Sequence, residues 1–202
     1  MLEKLAYSLG RNDEEPNIAL ANELVKTKNK KGIKEIVDGL NNSKEQIAND
    51  CIKVLYEIAG AAPEYIAEYA GVFIQLLKSK NNRLVWGSMT ALSKIVQLNP
   101  GVIFDNLDII VNAYKNGSVI TVDNSISVFA GLAKAGAKYE KKVFPMIISH
   151  LETCRPKEVA QHAERAFICV NKGNSQKFRE TLQERLKSLT EPQKKRVLKL
   201  LA

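Results

Sequence analysis

The chain has 202 residues, 45% hydrophobic and 26% charged, with 30 Lys or Arg against 22 Asp or Glu for a net charge of +8. This length supports one continuous core. With no run of 18 apolar residues and no basic-then-apolar leader at Met1, neither a membrane span nor a secretory signal is expected.

From about residue 16 onward, helical patterns follow one another at a fixed spacing. The first apolar stripe is Ile33, Ile36, Val37 and Leu40, at i, i+3, i+4 and i+7, which is one face of an amphipathic helix. The next segment, IANDCIKVLYEI from Ile47, returns as LVWGSMTALSKI from Leu84, TVDNSISVFAGL from Thr121 and VAQHAERAFICV from Val159, at offsets of 37, 37 and 38 residues. Leu55, Leu92, Phe129 and Phe167 superpose at one apolar position, and Ile58, Ile95, Leu132 and Val170 at another. Cys51, Ser88, Ser125 and Ala163 form a ring of small residues. Between these segments the first stripe repeats in step, beginning at Ala70, Leu107, Phe144 and Leu182, the last of these carrying Arg185 at its fourth position. Pro63, Pro100, Gly60, Gly101, Asn174 and Ser175 punctuate the turns.

A fixed period of this size marks a stacked helical array, because one helix pair cannot bury its apolar face alone. The expectation is an all-α superhelix, or solenoid, of antiparallel helix pairs with about ten to twelve helices and no sheet. Residues 1–202 form a single domain in this reading. Its repeats span about 16–42, 43–80, 81–117, 118–154 and 155–190, with a C-terminal cap at 191–202.

The small positions and the V-x-x-A-A-x-x-A-L-x-x-I cadence of the long segments resemble HEAT and armadillo-type repeats over roughly residues 16 to 202. The resemblance implies that fold and carries no particular activity. HEAT repeats usually place an arginine after the first apolar position, paired with an aspartate in the preceding turn. Ala48, Val85, Val122 and Ala160 occupy those places here, so that ladder is missing and the chain reads as a divergent member.

Side chains with reactive potential are sparse. His150 and His162 are the only histidines, and neither belongs to HExxH or another paired ligand spacing. Cys51, Cys154 and Cys169 are isolated and lack CxxC spacing, so three unbridged packing thiols are expected, with no metal and no cofactor. The simplest compartment is a reducing cytoplasm. No GxGxxG, GxxxxGK[ST] or GxSxG motif is present, so no catalytic residue is assigned.

Charge is unevenly placed. Residues 155–202 hold 12 basic and 5 acidic residues, against 18 and 17 in residues 1–154. A basic end of this kind can attract nucleic acid, acidic protein or an anionic surface, or can keep a terminal capping repeat soluble.

What remains is a surface, and helical periodicity locates it. Opposite the core stripe of the long segments lie the ladders Asn49, Trp86, Asp123, Gln161; Lys53, Thr90, Ser127, Arg165; and Tyr56, Ser93, Ala130, Ile168. In HEAT-like arrays such helices line an inner groove. The candidate binding residues are therefore Asn49, Lys53, Tyr56, Trp86, Thr90, Asp123, Ser127, Gln161 and Arg165. Trp86, the one tryptophan, is suited to anchor a partner, to stack a base, or to cover the neighbouring helix. The leading reading is a non-enzymatic interaction module that docks a protein or peptide partner. The alternatives are nucleic-acid binding and, because DNA alkylation-repair glycosylases also use HEAT-like repeats, a glycosylase built on Trp86, Asp123 and Arg165.

Overall fold

The computed structural model describes residues 1–201, and all regular structure among them is helical. The helices are α1 (Glu15–Lys26), α2 (Lys30–Gly39), α3 (Glu45–Ala61), α4 (Ala70–Leu76), α5 (Asn82–Ile95), α6 (Pro100–Asp105), α7 (Leu107–Asn116), α8 (Val119–Ala135), α9 (Ala137–Thr153), α10 (Pro156–Ala166), α11 (Ser175–Arg185) and α12 (Glu191–Leu201). Short 3-10 turns join several of them. No described helix is long and apolar enough to cross a membrane. Packing divides the chain into two compact units, Met1–Asn124 and Ser125 onward, which are taken in turn.

In the first unit the repeat becomes a side-by-side row. α1 packs on α3 and α3 on α5, with α2 against α3 and α4 against α5. Local chemistry sets the boundaries. The Asn29 side chain accepts from the Gly32 amide at 2.9 Å and starts α2, while Asn81 accepts from the Arg83 amide at 2.9 Å and starts α5. Each satisfies an amide that a helix N-terminus otherwise leaves orphaned. Pro16 and Pro100 sit in first turns, where a missing N–H costs nothing. The predicted stripes are the core: Ile33, Ile36, Leu55, Ile58, Phe73, Leu92 and Ile95 are essentially inaccessible.

Small residues set how closely the long helices approach. A Cβ built on Gly87 in α5 would stand 2.6 Å from Cγ1 of Ile52 in α3, and Ile52 is fully buried. Gly87→Ala gains about 1 kcal/mol of helix propensity but overpacks a side chain that cannot swing away, which costs about 1–3 kcal/mol. The expected net result is a loss of about 1 kcal/mol, read as a lower urea midpoint. A raised midpoint would show that the contact between α3 and α5 is looser than described.

The second unit repeats the scheme with less regularity. α9 packs against α11 and α10 against α12. Phe129, Leu132, Ile147, Leu151, Val159, Phe178, Leu182 and Val197 are among its buried apolar side chains. The repeat register fails at its last copy. α10 stops at Ala166 and a 3-10 turn takes residues 167–169, which turns Phe167 outward to 45% exposure and leaves Val170 half-buried. Ala163, Ala166 and Cys169 fill the core there instead. The stripe keeps its register through Val159, Ala163 and Ala166 and is lost only where the helix unwinds.

The positions where HEAT repeats carry arginine are apolar packing sites in this fold. Ala48, Val85 and Ala160 are buried and Val122 is half-buried.

Candidate functional site

Five candidate residues of the first unit, Asn49, Lys53, Tyr56, Trp86 and Thr90, lie on α3 and α5, and Asp123 lies on α8. Asn49, Tyr56, Trp86 and Thr90 are all half-buried. Tyr56 and Trp86, one period apart, face each other with ring centroids 5.6 Å apart and planes tilted by 46°. Tilted aromatic pairs at this separation are attractive beyond their buried area. Cations cover both rings: Lys53 Nζ is 4.9 Å from the Tyr56 centroid, and the Arg83 guanidinium carbon is 5.3 Å from that of Trp86.

One carboxylate ties those cations together. Glu14, just before α1, accepts from Arg83 through Oε1 and pairs with Lys53 through Oε2 at 3.0 Å, while Glu57 pairs with Lys53 at 2.6 Å. This corrects the expectation for Lys53. It is only 7% exposed, and its charge is spent inside the protein instead of being offered to a ligand. A spacing of four along α3 brings Lys53 and Glu57 onto one face, but the third partner comes from 39 residues upstream, where periodicity gives no signal. Arg83 and Glu14 are the two members that the repeat ladders missed.

Electrostatics follow from that arrangement. Burial works against the Lys53 ammonium, yet its bonds to Glu57 and Glu14 hold it above the ordinary lysine value. Burial likewise pushes the Glu14 carboxyl up, but the Arg83 and Lys53 bonds outweigh it and hold the group low. A carboxyl lowered from 4.5 in this way stabilises the fold fully above that pH, and its contribution is lost as pH falls through the folded value. Acid should therefore free Arg83 and Lys53 from Glu14 before the core melts. The expected sign is a change in Trp86 emission below about pH 4 with helical circular dichroism intact, absent in Glu14→Gln. An emission profile identical in the two proteins would contradict the coupling.

Polar neighbours complete the face. The Asn49 side chain accepts from Asn81 at 2.8 Å. Thr90 Oγ1 donates to the Trp86 carbonyl at 2.8 Å and accepts from Asn124 at 3.0 Å. Asp123, one residue before Asn124 on α8, is half-buried. A depression of about 240 Å³ opens beside the network, lined by Tyr7, Glu14, Asn49, Asp50 and Arg83 among others.

The remaining candidates belong to the second unit. Ser127 on α8 accepts from Arg165 of α10 at 2.9 Å, and both are half-buried, as is Gln161. Ala130, which the ladders placed on the open side, is fully buried, while Ile168 is 50% exposed. Four of the twelve basic residues of the C-terminal region are paired with acids in place. Arg196 pairs with Glu164, Lys177 with Glu152, Lys194 with Glu191 and Arg155 with Glu158. The Cys51 and Cys169 thiols are pushed up to about 12 by burial, which makes them poor nucleophiles. One grouping that sequence spacing missed also lies here: His150, Cys154 and His162, from α9, its end and α10.

Comparison with known proteins bears on the fold. No protein-family model matches the sequence, and no curated protein matches it. Solved structures do. Computationally designed armadillo repeat proteins for modular peptide recognition share 13% identity, with 90% of this chain and 84% of theirs aligned at a TM-score of 0.67. The chain has an armadillo-type helical-repeat fold. A designed armadillo repeat protein aligns over 100% of this chain and 98% of its own, at 14% identity and a TM-score of 0.68. An engineered protein aligns over 99% and 94%, at 18% identity and a TM-score of 0.69. At these identities the likeness concerns architecture.

Proposed function

We propose that the protein is a non-enzymatic interaction module, working in a cytoplasmic setting, that docks a protein or peptide segment on the α3–α5 face around Tyr56 and Trp86. The observation that carries this reading is the Tyr56–Trp86 pair itself, half-buried and held in place by Lys53 and Arg83. Rigid aromatic side chains lose little entropy on binding and dominate interface energetics. Asn49 and Thr90, half-buried beside them, add polar groups with which a peptide backbone can pair. Related architecture supports it, since designed armadillo proteins were made for modular peptide recognition.

Nucleic-acid binding has less support. A phosphate backbone needs uncommitted cations, and Lys53 and Arg83 are held by Glu14 and Glu57, with four bases of the C-terminal region also paired. The glycosylase constellation has less still, because Arg165 is bonded to Ser127.

A selection from a displayed random-peptide library tests the proposal. The wild type should enrich a peptide motif that Trp86→Ala binds at least tenfold more weakly. The same protein should show no salt-steep affinity for duplex DNA. Failure to enrich any motif, together with DNA affinity that falls linearly with the logarithm of salt, would overturn it.

A further inference from the structure

The docking face uses α3 and α5, whereas the second unit holds a cluster with a different chemistry. His150 lies on the last turn of α9, Cys154 follows α9 directly, and His162 sits mid-way along α10. Nε2 of His150 is 2.7 Å from Nδ1 of His162, with ring centroids 4.7 Å apart. The Cys154 sulfur joins them, all three ligand atoms lying within 4.8 Å of one another. His162 is fully buried, His150 nearly so and Cys154 half-buried. Two ring nitrogens aimed at each other share one proton, and the point between them is where a cation would take its place. Zinc with Zn–N bonds of about 2.0–2.1 Å needs the nitrogens about 3.3 Å apart, so the 2.7 Å gap must open by only about 0.6 Å.

The structure assigns these three residues, we infer, to a zinc-binding site with His150 Nε2, His162 Nδ1 and Cys154 Sγ as ligands. Two imidazoles and a thiolate are a donor set matched to this borderline-soft ion. The fourth position falls to water on the half-exposed Cys154 side. Arg185 holds that side in place, donating to the Leu151 and Cys154 carbonyls at 2.8 and 2.7 Å. Binding forms two Zn–N bonds and one Zn–S bond and sends the thiol proton to solvent. The proton between the rings moves to the outer nitrogen of its own ring, so both imidazoles stay neutral and one proton leaves per ion. The spacing H-x3-C followed eight residues later by His matches no linear zinc motif, because one ligand comes from a second helix. This site is independent of the docking face, and either proposal can fail alone.

Titration of the tag-free, metal-stripped full chain with Co²⁺ tests it. The expected result is one equivalent bound, with a thiolate-to-cobalt charge-transfer band that Zn²⁺ bleaches. Cys154→Ser should lose the band while keeping wild-type circular dichroism. His150→Gln and His162→Gln should weaken binding by more than about tenfold. His162 is the variant most exposed to misfolding, and the other two decide the matter without it. Absence of the band in the wild type, its survival in Cys154→Ser, or equal cobalt affinity in Cys154→Ser, His150→Gln and the wild type would each overturn the assignment.

Discussion

Phe129→Ala should destabilise the protein by about 3–5 kcal/mol, measured by urea denaturation. Phe129 is fully buried in α8, among the largest inaccessible side chains of the molecule. Truncation removes the transfer free energy of a ring and leaves a cavity that helices fixed at both flanks cannot close. Leu92, its counterpart one period earlier, is equally inaccessible and should cost about 2–5 kcal/mol as alanine. Phe167 is the informative control. The sequence repeat makes it equivalent to Phe129, but the structure exposes 45% of it, so Phe167→Ala should cost less than about 1 kcal/mol. Equal costs for Phe129 and Phe167 would restore the regular register and refute the unwound end of α10.

Arg185→Met is expected to lose about 2–3 kcal/mol despite the residue's partial exposure. In the stripe of second helices its position is apolar in every earlier copy, namely Ile36, Phe73, Ile110 and Ile147. The guanidinium instead reaches back to the end of α9, donating to the carbonyls of Leu151 at 2.8 Å, Glu152 at 2.5 Å and Cys154 at 2.7 Å. These are carbonyls that the helix terminus cannot satisfy itself, and a cation there also opposes the helix dipole. Methionine keeps the aliphatic stem and removes all three donors. Hydrogen exchange at the last turn of α9 should accelerate in Arg185→Met and recover partly in Arg185→Lys. Unchanged exchange would mean that water serves those carbonyls as well.

The fold was legible because its information is local and repeated. Stripes such as Leu55, Leu92 and Phe129 need only a period and an apolar face to be recognised, and all three are fully buried. Ladder positions were legible to the extent that the helices stay regular. Asn49, Tyr56, Trp86 and Thr90 take the open side of α3 and α5, whereas Ala130 is buried. The rest depends on contacts between distant segments, which periodicity does not encode. Glu14 reaches Arg83 across 69 residues and removes Lys53 from the surface. His150 meets His162 only because α10 turns back along α9, so two unremarkable histidines become neighbours. Arg185 breaks the stripe, and its role appears only once the end of α9 lies against it.

The central functional claim rests on the aromatic pair, and capture of partners from cell lysate measures it most directly. Three baits are compared: wild type, Trp86→Ala, and the Lys194/Lys195/Arg196 charge reversal, all confirmed as folded by circular dichroism. Aromatic anchors at the centre of an interface typically cost more than 1–2 kcal/mol when removed, whereas peripheral charges tune association rate and salt sensitivity. Trp86→Ala should lose the partners which the charge-reversed protein retains. If the charge reversal loses every partner while Trp86→Ala keeps them all, the α3–α5 face is scaffold and the basic end is the working surface.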